Sequence, residues 1–150
     1  MKIFVGADHK GYGLKQELAS YLKKAGYDVE DAGDDHYNPD DDFPVFAAKA
    51  VQKVLASDDP EPRAVLICGS GQGMVMAANR FKGIRAGLGW SIEAAKATRN
   101  DEDSNVLALP AVLFGEEKRH NAFVITEVWL NTPFANAPRF IRRNQELDNL

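Results

Sequence analysis

The 150-residue sequence contains a single cysteine, Cys68. No intramolecular disulfide can form, and no CxxC pair exists for redox or zinc chemistry. No apolar run approaches the roughly 18 residues needed to cross a bilayer. Met1 to Gly6 leads into a strand pattern without the apolar stretch and small-residue cleavage site of a signal peptide, so a cytoplasmic protein is expected. Surplus positive charge is also missing. Eighteen Lys and Arg against 22 Asp and Glu give a net charge of −4, which argues against a nucleic-acid partner. The three histidines, His9, His36 and His120, are too scattered to suggest a metal site. No repeat, low-complexity tract or linker breaks the chain.

What is present is the balance of a globular protein, 45% hydrophobic and 27% charged. A chain of this length buries about two thirds of its unfolded surface, enough for one domain over residues 1–150. Short apolar runs alternate with amphipathic stretches. Ile3-Phe4-Val5 reads as a strand, and Tyr12 to Ala25 as a helix through Leu14, Leu18, Tyr21 and Leu22, stopped by Gly26. Tyr27-Asp28-Val29 reads as a short second strand. Residues 34–42 hold five aspartates and read as a solvated loop. Pro44 suits a helix N1 position, opening a helix to about Ala56. Arg63 to Cys68 is the strongest strand, followed by a helix from Met74 to Arg80. Ile84 to Leu88 and Asn105 to Leu109 read as strands around a helix from Ser91 to Thr98, with final helices at 116–131 and 134–148.

This order predicts a single-domain α/β protein, a three-layer sandwich around a five-stranded parallel, Rossmann-like sheet with an extra C-terminal helix. Ligands of such sheets bind beyond the carboxyl ends of the strands. The residues to inspect are therefore Asp8-His9, Cys68 to Gly73, Trp90-Ser91 and Pro110 onward.

Cys68-Gly69-Ser70-Gly71-Gln72-Gly73 carries the strongest chemical signal. Alternate glycines let the backbone approach a ligand, and the helix start that follows favours an anion, either a phosphate or an oxyanion formed during reaction. The segment is neither a dinucleotide fingerprint, since Met74 stands where GxGxxG needs glycine, nor a P-loop. A strand cysteine is ordinarily core packing, but at a strand's carboxyl end beside a helix N-terminus a thiolate is stabilised and can act. Asp8-His9 would face the same crevice. Arg139-Phe140-Ile141-Arg142-Arg143 is a basic cluster in an acidic protein, a solvated helix face by default and a phosphate clamp by alternative.

Several segments together resemble the ribose-5-phosphate isomerase type B family, which includes the galactose-6-phosphate isomerase subunits. They are Gly6 to Tyr12, Cys68 to Gly73, Ala77 to Arg80, Gly83 to Ala86, Asn105 to Leu107 and the tail from Thr132 to Arg143. The resemblance implies an aldose–ketose isomerase without cofactor or metal, acting on a sugar phosphate. It implies a homodimer or homotetramer with interfacial sites, the helix at about 134–148 contacting a neighbouring subunit. By resemblance, Cys68 is the general base working through a cis-enediolate and Ser70 the loop hydroxyl. Asp8, His9, Gly69, Gly71, Gln72, Gly73, Arg139 and Arg143 bind substrate. Asp101 stands where the family has a ring-opening histidine, Val112 where it has a phosphate-binding arginine, Phe43 for a tyrosine and Phe140 for a histidine. These departures suit a tetrose 4-phosphate, which cannot close a furanose ring. The rival reading is a catalytically impaired homologue that binds a sugar phosphate or serves in a hetero-oligomer.

Overall fold

Three apolar runs buried along nearly their whole length decide the architecture. They are β1 (Lys2–Ala7), β3 (Arg63–Cys68) and β5 (Val106–Pro110). A strand with no polar face must be covered on both sides, as in parallel sheets. In the computed structural model, which describes residues 1–150, five parallel strands run in the order β2-β1-β3-β5-β4. β2 spans Asp28–Asp31 and β4 spans Ala86–Leu88.

Alternation along each strand separates two cores. Ile3, Val5, Val65, Ile67, Leu107 and Leu109 face α1 (Tyr12–Lys24) and α5 (Arg119–Asn131). Phe4, Ala64, Leu66, Cys68 and Ala108 face α2 (Phe43–Leu55) and α3 (Gln72–Ala78). Leu18 and Leu22 of α1 are completely buried, each contributing about 1.5–3 kcal/mol. Trp129 is equally buried, and its indole N–H donates to Ser104 Oγ at 2.8 Å. No helix is long and apolar enough to cross a membrane.

The fold class is as expected, while several boundaries move. β2 lies later than Tyr27–Val29, because its ladder with Lys2–Val5 pairs Asp28 through Asp31. β4 loses Ile84 and Arg85: the Arg85 N–H donates to Asn105 Oδ1 and the Ala86 N–H to Asn79 Oδ1, so side chains take the place of a ladder. The expected 116–131 helix divides into a 3-10 turn, Glu116–Lys118, and α5. A further 3-10 turn, Ala111–Leu113, follows β5. The last helix, α6 (Pro138–Asp148), starts at Pro138, four residues later than expected; Asn136 before it has φ +51. α4 (Ile92–Asn100) is capped by Ser91 Oγ, which accepts the Ala94 N–H at 3.1 Å.

Candidate active site

β1 runs on to β2 at one side and α2 returns the chain to β3 at the other, so the crevice between β1 and β3 is where a ligand would enter. Asp8 follows β1 directly and Cys68 ends β3, and the Asp8 N–H donates to Ile67 O at 3.2 Å, which holds them level. Gly11 lets α1 start against β3: a Cβ there would stand 2.5 Å from Ile67 O.

Cys68 is 5% exposed, and the Gly71 N–H donates to its Sγ at 3.2 Å. That contact stabilises negative charge on sulfur. Gly71 has φ +72, a conformation costly for any other residue. The Gln72 N–H donates to Ser70 Oγ at 3.3 Å. The backbone N–H groups of Gly69, Ser70, Gly73 and Met74 bond to no group of the chain. They form a set of free donors around the thiol, the means by which an oxyanion is held.

Asp8 is buried and its Oδ1 accepts the Gly11 N–H at 3.1 Å. Burial pushes its carboxyl above the usual carboxylate range, against the opposing pull of the Gly11 N–H and of His9. His9 is anchored by Asp41, whose Oδ1 accepts the His9 backbone N–H at 2.9 Å and lies 2.7 Å from Nδ1. The Asp41 side chain is 7% exposed. Thus the crevice gathers a thiol, free N–H donors, a buried carboxyl and an anchored imidazole. No three His, Cys, Asp or Glu residues are grouped to hold a metal ion.

The family pattern described as Ribose/Galactose Isomerase matches residues 3–147. The chain belongs to this family. A ribose-5-phosphate isomerase B from Mycolicibacterium paratuberculosis is 32% identical over 143 residues, covering 95% of this chain and 87% of the relative. A 4-deoxy-4-sulfo-D-erythrose isomerase from a Clostridium species is 37% identical over 109 residues, 73% of this chain and 67% of the relative. The crystal structure of ribose-5-phosphate isomerase B from Mycoplasma genitalium with bound ribulose 5-phosphate superposes with a TM-score of 0.90 at 32% identity. It covers 99% of this chain and 94% of its own. The protein is an aldose–ketose isomerase of the sugar-phosphate class.

Within one copy of this isomerase, three of the expected site residues do not join the others. Asp101 caps the end of α4, the helix that carries the chain from the carboxyl edge back to the amino edge before β5. Its Oδ1 accepts Asn100 Nδ2–H at 2.6 Å, and its carbonyl lies 3.5 Å from Asn144 Nδ2. Ala64 pairs with Val106 and Cys68 with Pro110. The edge where α4 ends is thus separated from Cys68 by four strand steps of about 3.3 Å each, before the loop to Asp101 is counted. Arg139 and Arg143 stand exposed on α6, which is tied to the same amino edge by Asn144 and by Asp148 on Arg85 at 2.9 Å. Within one copy the expected residues thus lie in two groups, Asp8, His9 and Cys68 to Gly73 at the carboxyl edge and Asp101, Arg139 and Arg143 toward the amino edge. In chain order Asp101 follows the crevice residues closely, but the return direction of a parallel crossover carries it away.

Asp41 is the residue that sequence reasoning missed. In sequence it stands among four other aspartates of the 34–42 loop, and no local pattern separates it from them. His36 and His120 are exposed.

Proposed function

We propose that this isomerase acts on a short anionic aldose through Cys68, in sites completed by a second copy of the chain. The observation that carries the reading is the Cys68 thiol at the carboxyl end of β3, with one N–H on its sulfur and four unpartnered N–H groups around it. Cys68 as thiolate takes the C2 proton; the C–H pair forms the C1=C2 bond and the C1 carbonyl pair moves to O1. The loop N–H groups of Gly69, Ser70 and Gly73 hold that enediolate oxygen. Return of the proton from sulfur to C1 gives the ketose.

Asp101, Arg139 and Arg143 enter from the partner in a twofold dimer, which forms two equal sites. Exposed apolar side chains on the segments around the crevice, Met76, Trp90, Val112 and Leu113, supply a surface for that copy to cover. The arginines then hold the terminal anion. A tetrose bearing its anion at C4 has no free O4 to close a furanose ring, so it requires no ring opening from Asp101. The Clostridium relative is named for a sugar of that kind. We therefore favour a C4-anionic tetrose over ribose 5-phosphate.

Proton–deuteron exchange at C1 and C2, followed by NMR in heavy water with ribose 5-phosphate and erythrose 4-phosphate, tests this. Exchange stronger with the tetrose, and lost in Cys68→Ala, supports the reading. Strong pentose exchange without tetrose exchange removes the tetrose preference. No exchange with either favours a binding homologue or a missing partner subunit.

A further inference from the structure

The strand that ends in Cys68 begins with an arginine in a place where a charge is costly. Arg63 is 5% exposed at the amino end of β3, and Arg99, near the end of α4, is 6% exposed. A buried guanidinium destabilises unless its charge and its donors find partners. Arg99 finds its charge partner: Nη1 donates to Asp103 Oδ1 at 2.7 Å and to Ser104 O at 2.8 Å. Arg85 bonds the same Asp103 and Asp148, so Arg85 and Arg99 balance those two carboxylates.

Arg63 is the cation left over. Its Nη1 donates to Leu130 O at 2.9 Å, and its Cζ lies 5.4 Å from the centre of the Trp129 ring. The carboxylate within ion-pair distance is that of Glu61, 68% exposed and 3.6 Å from Nη2, too far for a hydrogen bond. Burial, and next the charge of Arg99, pull the Arg63 pKa below the ordinary arginine value. Capping the end of α5 accounts for Nη1 of Arg63 but leaves its outer edge unused. Nε of Arg63 and Nη2 of both arginines make no hydrogen bond within the chain, and none is sealed from solvent.

Both arginines line a cavity of about 440 Å³, a size usual for small-molecule sites. Its far wall is the segment between α5 and α6, where Pro133 and Phe134 add an apolar side. The Ala135 N–H donates to Asn100 O at 3.0 Å, fixing this segment to the end of α4 just before it enters α6. Arg63 and Cys68 stand at opposite ends of β3, roughly 16 Å apart, so the cavity is separate from the crevice.

We propose that this cavity is a second anion site, taking the phosphate group of a small organic phosphate between Arg63 and Arg99. The free guanidinium edges donate to the phosphate oxygens, and the organic part lies against Pro133 and Phe134. The occupant braces the segment that leads to Arg139 and Arg143. The inference goes beyond the isomerase chemistry and does not depend on Cys68.

The test titrates inorganic phosphate and phenyl phosphate into the whole protein, with sodium chloride of equal ionic strength as control. Arginine Nε–H signals are followed by NMR, together with hydrogen exchange of the Ala135 N–H. Saturable shifts of Arg63 and Arg99, tighter binding of phenyl phosphate, and slower Ala135 exchange are expected. Arg63→Met is expected to weaken binding about 10-fold or more, as loss of charge-assisted hydrogen bonds does. Arg63→Lys, which keeps the charge without the fork, retains part of the affinity. Shifts that sodium chloride reproduces overturn the site, as do shifts that vanish in Arg143→Ala, which would be an echo of anion binding in the crevice. Exclusion of phenyl phosphate overturns the organic ligand, and unchanged Ala135 exchange overturns the brace. Absence of shifts in wild type overturns the site even where Arg63→Met does not fold. That failure leaves proton exchange on the sugar intact, so it is distinct from failure of the Cys68 reading.

Discussion

Replacing Gly71 with alanine tests whether the loop is held by backbone geometry. Gly71 has φ +72, and forcing an L-residue into the left-handed region costs about 1–2 kcal/mol. The added Cβ would lie 2.5 Å from Leu88 Cδ1, 3.2 Å from Pro110 N and 3.3 Å from Leu109 C. Leu88 can rotate, but the β5 backbone opposite it cannot retreat without disturbing the ladder to β3. Overpacking of this kind adds about 1–3 kcal/mol, for a total of about 2–5 kcal/mol. A domain of this size has roughly 7–20 kcal/mol of stability, so the variant still folds. Its Gly71 N–H no longer points at Cys68 Sγ, and losing one such donor lowers turnover about 100-fold. Gly69→Ala is the control: its Cβ would meet only Lys10 methylenes at 3.4 Å or more, an ordinary contact, and the φ is not positive. Urea unfolding of both variants beside wild type, with exchange NMR on each, reads the difference. Equal stability of Gly71→Ala and wild type, or equal damage from Gly69→Ala, would refute the argument.

Lys15 is fully buried, and its Nζ donates to Asp31 Oδ1 at 2.8 Å and Asp34 O at 2.7 Å. Lys15→Met keeps the packing but strands these acceptors. Because Asp31 is partly exposed, the cost is about 2 kcal/mol, less than for a fully buried pair, and a thermal melt lowered by roughly 5 °C checks it. Asp8→Asn is expected to stabilise the protein at neutral pH while lowering activity. The folded-state pKa of Asp8 is raised, so its protonated form favours folding below the unfolded pKa, and that contribution is lost as pH rises through the folded value. The stability advantage of the variant therefore shrinks on acidification toward pH 3–4, which urea melts across pH will show; an advantage that grows on acidification contradicts the burial argument. Alkylation of the one thiol should slow when a sugar phosphate is present, and an unchanged rate would place Cys68 outside the binding site. Cys68→Ala and Arg143→Ala, each inactive alone, should regain about a quarter of wild-type activity when co-assembled, because half the dimers then carry one intact site of two. No recovery despite mixed dimers excludes the shared site.

Legibility in the sequence followed burial. β1, β3 and β5 are apolar on both faces, so their runs stand out without reference to neighbours, and the parallel α/β class follows from the helices between them. β4 has three half-buried residues whose ends are set by the Asn79 and Asn105 side chains, contacts that lie 7 and 20 residues away in sequence. The glycine loop was legible because its signal is local: a cysteine ending an apolar run, then alternate glycines. Asp41 was not, because only the packing of loop 34–42 over β1 distinguishes it from Asp40 and Asp42. The separation of Arg139 and Arg143 from Cys68 depends on where α6 docks, which Phe140, Asn144 and the Arg85–Asp148 pair decide.

That separation has an electrostatic logic. At the carboxyl edge of one copy, Asp8 and Asp41 carry acidic groups into the crevice, while Lys10 is the cationic side chain beside them. Free N–H donors can stabilise the single charge that develops on an enediolate oxygen, but a permanent phosphate or sulfonate brought beside two carboxyl groups is repelled unless stronger cations face it. Arg139 and Arg143 are exposed at the opposite edge, with no acidic partner within salt-bridge distance of either. Each edge of the chain thus holds what the other lacks. In the proposed dimer, a twofold pairing with α6 of one copy over the crevice of the next would bring these two cations to the anion that the crevice alone repels.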